Sequence, residues 1–155
     1  MLKKYRFGFD VAGLVLFLVV MAPTFFWIFV PAPIDVLRDT SATTVIDTVG
    51  SVFQFVFIAA LCILINKNRE KLRPTPLIIL TAVCVVLYYL GWVLYYSGMV
   101  YHDGMTDPFV IILMTLPPCL AFIFFSIDRK NIIALIPAVG FTVCHLIYGI
   151  VNFII

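Results

Sequence analysis

Five long apolar runs, separated by short polar stretches, set the pattern of this chain: Val11–Val30, Val45–Ile65, Leu77–Ser97, Phe109–Ile127 and Ile132–Ile155. Each reaches about 20 residues, the length a helix needs to cross the hydrocarbon of a bilayer. Helix signals bracket the runs. Asp10 precedes the first, and Thr44-x-x-Asp47 resembles a capping box for the second. Thr75-Pro76 and Asp107-Pro108 read as N-caps followed by proline at the first helical position, and Asn131 suits the start of the fifth run. Pro31 and Pro33 follow the first run, and Ser97-Gly98 closes the third. The pattern predicts an all-α integral membrane protein, a bundle of five transmembrane helices in a single domain over residues 1–155.

Composition agrees. Hydrophobic residues make up 64%, charged residues 12%, and the mean hydropathy is +1.17. Soluble domains run at roughly 45–50% apolar and about 25% charged. A soluble globule, a disordered tail and a nucleic-acid binder are excluded. The first run is too long for a cleaved signal peptide, and Ala22 is followed by Pro23, so it is read as a retained helix.

Charge orients the bundle. Lys3, Lys4, Arg6, Lys67, Arg69, Lys71, Arg73, Arg129 and Lys130 fall on one side, and only Arg38 on the other. The positive-inside rule places the N-terminus in the cytoplasm and the C-terminus outside. Asp35, Asp39, Asp47, Asp103 and Asp107 lie on the outer side or at its rim. The expected location is a cell membrane of bacterial type, crossed several times.

Polar groups at membrane depth carry the remaining information, because each one left unsatisfied in hydrocarbon costs several kcal/mol. At about 1.5 Å per residue, Gln54, Tyr88, His145 and Pro117-Pro118 all lie roughly 12–15 Å from the outer end of their spans, near the midplane. Helical stripes lead outward from them. Asp47, Ser51 and Gln54 share one face, as do Tyr88, Trp92 and Tyr95, and so do His145, Tyr148 and Asn152. If these faces meet, they line a polar and aromatic cavity open to the outside.

Plainer roles compete at each position. Asp47 fits a capping box, Gln54 fits interhelical hydrogen bonding, and most of the tyrosines and tryptophans fit an interfacial belt. His145 is either a functional titratable group or a neutral histidine bonded to Gln54 or a tyrosine. Pro117 and Pro118 remove two amide donors and free the Leu113 and Met114 carbonyls, which predicts a kink or break, with Thr115 close enough to help. Pro23 frees the Val19 carbonyl in the same way. Ala134-x-x-x-Ala138 makes a small face for close packing.

No catalytic constellation is legible. HExxH, GxSxG, GxGxxG and P-loop motifs are missing, and no span contains Lys or Arg. Cys62, Cys84, Cys119 and Cys144 form no CxxC and read as small apolar side chains. His102, Asp103 and Asp107 share one outer loop without a ligand spacing, so neither metal nor cofactor is expected. Size and helix number are similar to the translocator (tryptophan-rich sensory) family, but its Trp- and Pro-rich first loop is missing and no family is assigned. The run from Pro31 to Arg38 reads as an outer-loop motif.

The expected function is non-enzymatic. The outward cavity binds or transports a small molecule, lipid or ion, with His145, Gln54, Tyr88, Trp92, Asp47, Tyr148 and Asn152 as ligand-binding residues and Pro117-Pro118 as a helix break. The alternative is a non-catalytic interaction protein: an accessory subunit, an immunity-type factor or an envelope scaffold. Expected partners are the lipid bilayer, a small-molecule or lipid ligand, and a membrane protein or a second copy of the chain.

Overall fold

The computed structural model describes residues 4–38, 42–69, 71–102 and 105–155. Lys3, Asp39 and Asp103, used above in the charge reading, lie outside the described residues, as does the side chain of His102. Five helices carry the fold: α1 (Val11–Phe29), α2 (Thr44–Ile63), α3 (Pro76–Tyr96), α4 (Pro108–Asp128) and α5 (Ile132–Phe153). All five are long and apolar enough to cross a membrane.

Four starts are capped as the sequence implies. Backbone amides donate to Asp10, from Ala12 at 3.2 Å, to Thr75, from Ile78 at 3.2 Å, to Asp107, from Phe109 at 2.8 Å, and to Asn131, from Ala134 at 3.2 Å. The second start differs. Its cap is Thr43, one residue earlier than expected, and the Thr43 hydroxyl donates to Asp47 Oδ1 at 2.9 Å. Asp47 is then one position too far along to close a capping box, and it meets the hydroxyl instead. Gly98, at φ +82°, ends α3 in a left-handed turn, with Met99 N–H bonded to Leu94 O and Gly98 N–H to Tyr95 O.

Two short antiparallel ribbons were not legible from periodicity. In the first, β1 (Tyr5–Phe7) pairs with β2 (Leu64–Asn66), and in the second, β3 (Tyr101–His102) pairs with β4 (Met105–Thr106). Leu64 and Ile65 are therefore strand and not the last turn of the second helix. The N-terminal segment takes up the carbonyls that the end of α2 leaves open: Gly8 N–H donates to Ile63 O at 3.0 Å and Asp10 N–H to Cys62 O at 2.8 Å.

The helices form a ring in the order α1, α2, α5, α4, α3 and back to α1. In α4, 67% of the apolar stretch is buried inside the molecule, against 17% in α1. So α4 is the central element and α1 the lightly packed one. Ala134 and Ala138, at 0% and 1% exposure, make the small face of α5. Gly91 lets α3 approach α4: a Cβ there would stand 3.0 Å from Leu113 Cβ and 3.1 Å from the Leu113 backbone carbon. Backbone cannot yield as a side-chain tip does, so Gly91→Val should force the two helices apart. Overpacking of this kind costs about 1–3 kcal/mol. Thermal melting of the detergent-solubilised variant should show the loss, and an unchanged midpoint would mean that the interface is looser than its geometry implies.

The expected break at Pro117-Pro118 is not there, because α4 runs continuously from Pro108 to Asp128. Each proline deletes one amide hydrogen bond, but its fixed φ is compatible with a helix. Both prolines are buried in the bundle, where packing against the neighbouring helices keeps the helix continuous through the missing bonds. Nor does Thr115 serve the freed carbonyls, since its hydroxyl donates to Ile111 O at 2.8 Å. The carbonyl freed by Pro23 does find a donor: Tyr89 Oη on α3 reaches Val19 O at 2.8 Å.

The described basic residues other than Arg38 gather where β1, β2, the start of α3 and the α4–α5 turn meet, here called the basic end. A buried cluster lies beneath them. Asp10, 5% exposed, accepts a hydrogen bond from Arg69, and its Oδ2 lies 3.5 Å from Nε of Arg129, itself 6% exposed. Asn131 Nδ2 donates to Ala60 O at 3.0 Å and to Leu64 O at 2.9 Å, and Asn66 Nδ2 donates to Lys130 O at 2.7 Å. The sequence marked Asp10 as a cap only. Its ionic partners, 59 and 119 residues away, had no local signal.

Candidate functional site

A cavity of about 480 Å³ occupies the half of the bundle away from the basic end. All five helices contribute. α1 presents Val20, Met21, Thr24 and Trp27, and α2 presents Ile46, Asp47, Gly50, Ser51 and Gln54. Tyr88 and Trp92 come from α3, while α4 adds Ile111, Met114, Thr115, Pro118 and Phe122. Phe141, Cys144, His145, Tyr148 and Phe153 of α5 complete the wall, and Leu37 of the loop joins it at the far end. The three sequence stripes therefore meet: Asp47, Gln54, Tyr88, Trp92, His145 and Tyr148 line one space.

Some expected members do not. The Asn152 side chain turns to the α2 cap, where it donates to Thr43 Oγ1 at 2.8 Å and to Tyr148 O at 2.9 Å and accepts from Ala42 N–H at 2.7 Å. It ties α5 to the start of α2. Pro117 is buried in α4, and only Pro118 reaches the cavity. Tyr95, the outermost member of the α3 stripe, is fully buried and serves the loop.

Contacts within the cavity are sparse. Among the described residues Gln54 Nε2 meets the Met21 sulfur, 4.0 Å away, and Tyr88 Oη shares a 3.3 Å hydrogen bond with Thr24 Oγ1. The indole N–H of Trp92, a residue 6% exposed, lies near the Tyr88 hydroxyl but makes no well-aligned hydrogen bond among the described residues. His145 is bonded to neither Gln54 nor a tyrosine. Its ring stacks between Phe141 and Tyr148, with centroids at 5.0 and 6.1 Å and planes inclined by 19° and 14°. Tyr88 meets Trp92 edge to face at 6.2 Å. Among the described lining residues Asp47 alone carries a carboxylate, and none is a lysine or arginine.

Thr24 and Trp27 were missed as cavity residues, although a signal was present: Val20, Thr24 and Trp27 share one helical face. The far-end loop is held by Asp35. Trp27 Nε1 and Tyr95 Oη donate to Asp35 Oδ1 at 2.9 and 2.7 Å, and Arg38 Nε donates to Oδ2 at 2.8 Å. Leu37 N–H donates to Tyr95 Oη at 3.2 Å, and the Arg38 guanidinium lies 4.9 Å from the Trp27 ring centre. The motif read between Pro31 and Arg38 is thus the strap over one side of the cavity. Burial alone pushes the Asp35 carboxyl up, but hydrogen bonds from Tyr95, Trp27 and Arg38 outweigh it and hold the group below its ordinary value of 3.8.

Among the described residues, no group of three His, Cys, Asp or Glu side chains is placed to hold a metal ion. No family model matches the chain, and neither curated proteins nor solved structures give a match.

Proposed function

We propose that this chain is a multi-pass protein of a bacterial-type cell membrane that binds or transports a small molecule through the cavity, without catalysis. In this reading the basic end faces the cytoplasm and the cavity opens to the outside, as the positive-inside rule directs. The observation that carries it is the convergence of three separate polar stripes on one space of about 480 Å³. Ligand pockets typically span about 300–1,000 Å³, with apolar walls and a few polar groups that fix orientation. Here Gln54 and the Trp92 indole supply polar groups that are only weakly satisfied among the described residues. Helix packing alone gives no reason to leave such groups at membrane depth. His145, stacked and not hydrogen-bonded, is the titratable group facing a ligand.

Native mass spectrometry of the gently solubilised chain tests this beside His145→Ala. The wild type should carry a small-molecule or lipid adduct, and the variant should lose it while melting within a few degrees of wild type. A bare wild type, or an adduct that survives the substitution, sinks the reading. The function would then be sought among interaction proteins: an accessory subunit, an immunity-type factor or a scaffold that acts through a partner protein or a second copy.

A further inference from the structure

Resting on the binding role just proposed, we infer that the cavity takes an uncharged aromatic molecule carrying an amide-type edge, with a donor and an acceptor side by side. The wall is neutral where it is deep. Asp47 belongs to the α2 cap with Thr43, and Gln54 lies two turns further in, roughly 10 Å along the helix. Apart from that cap residue, no described lining residue carries a fixed charge. A charged group held at the level of Gln54 would leave water with no opposite charge beside it among the described residues. Burying a neutral polar group that is hydrogen-bonded costs far less.

Two polar groups on the wall shared by α2 and α5 define the edge to be matched. A Cβ on Gly50 would stand 3.1 Å from Cys144 Cβ, and one on Gly140 would stand 3.0 Å from the Phe53 ring. That register sets Gln54, one turn past Gly50, level with Gly140 and Phe141, beside the ring row Phe141, His145 and Tyr148. The Gln54 amide is both donor and acceptor, and its contact is the Met21 sulfur at 4.0 Å, a weak acceptor. His145 has its faces against Phe141 and Tyr148, so its edge is left for the cavity that it lines. In the neutral ring that edge also holds one donor and one acceptor. A ligand that only accepts, or only donates, leaves half of this wall unmatched. A carboxamide or ring amide offers both, and glutamine pairs with such an edge through two hydrogen bonds at once. Across the space, Tyr88 and Trp92 meet edge to face at 6.2 Å and supply aromatic surface for the body of the ligand.

The full chain would be placed in phosphatidylcholine nanodiscs at pH 8, above the ordinary range of histidine, and titrated calorimetrically. Empty nanodiscs give the background from partitioning into lipid. The probes are naphthamide, its N,N-dimethyl derivative, methylnaphthalene and naphthoate. Naphthamide should saturate at least about tenfold tighter than the dimethyl derivative and methylnaphthalene, since each of these leaves buried polar groups unmatched. Naphthoate should not saturate. Gln54→Leu should bring naphthamide down to the affinity of methylnaphthalene and leave methylnaphthalene itself unchanged. Equal binding of naphthamide and methylnaphthalene overturns the inference while leaving the cavity a binding site. So does tighter binding of the dimethyl derivative or of naphthoate, or an unchanged preference in Gln54→Leu. Failure of all four probes to saturate sinks both the inference and the binding role beneath it. The wild-type series decides the preference even if Gln54→Leu does not fold.

Discussion

Asp10→Ala should leave little folded protein. Asp10 is buried where the N-terminal segment crosses the ends of α2 and α4, and its carboxylate faces both Arg69 and Arg129. Removing it takes from Arg129, which is 6% exposed, the carboxylate that lies 3.5 Å from its Nε. Breaking a buried ion pair from one side costs about 3–5 kcal/mol. That is comparable to a large part of the total stability of a typical domain, about 5–15 kcal/mol. The α1 cap is lost with it, since Asp10 accepts from Ala12 N–H. The measurements are the yield of monodisperse protein in mild detergent and its melting midpoint. Asp10→Asn, which keeps a cap but not the charge, should recover only a minor part. Asp10→Leu combined with Arg129→Leu should recover more than either single change, because the desolvated charge then disappears with its partner. A wild-type midpoint in Asp10→Ala would show that the cluster contributes nothing to the fold.

Asp35→Ala should have the second largest effect, at the opposite end. Three side chains from α1, the loop and α3 converge on this carboxylate. The deletion takes the acceptor from the Tyr95 hydroxyl, on a residue with 0% exposure, leaving it only the Leu37 N–H among the described residues, and releases the Trp27 indole. Hydrogen bonds to a charged group are worth about 1.5–3 kcal/mol. Partial exposure of Arg38 discounts one of the three, so the net loss should be about 2–3 kcal/mol. Because α1 is the lightly packed helix, the loss should fall on its seating and on the cavity wall it forms. Trp27 emission should shift to longer wavelength as the ring reaches water.

The pH dependence of this strap has a fixed sign. The folded carboxyl titrates below its ordinary value of 3.8, so its contribution is fully present above that value. It is lost as pH falls through the lowered folded value. The melting advantage of wild type over Asp35→Asn should thus be constant from pH 8 to pH 5 and fade only in stronger acid. An advantage that already declines between pH 7 and pH 5 would contradict the hydrogen-bonding account.

What the sequence determined by itself is local. The number of helices, their bounds to within a residue or two, the caps at Asp10, Thr75, Asp107 and Asn131, the turn at Gly98 and the segregation of charge all follow from short-range chemistry. A cap needs only a side chain and an amide two or three residues away. The polar stripes on three of the helices were legible for the same reason, because residues at i, i+4 and i+7 share a face whatever lies opposite.

What lies opposite was decided only by the tertiary structure. The helices are apolar almost all round, so periodicity does not separate a face that meets a neighbour from one that meets lipid. Packing set the ring order, with close approach at Gly91, and that order turned three isolated stripes into one cavity. It also took Asn152 out of the cavity and into the α2 cap. It gave the Val19 carbonyl freed by Pro23 a donor in Tyr89, and it held α4 continuous through Pro117-Pro118. The pairing of Asp10 with Arg69 and Arg129 belongs to the same class. Each depends on groups brought together from distant positions in the chain, and the geometry of five packed helices, not any local pattern, chose the partners.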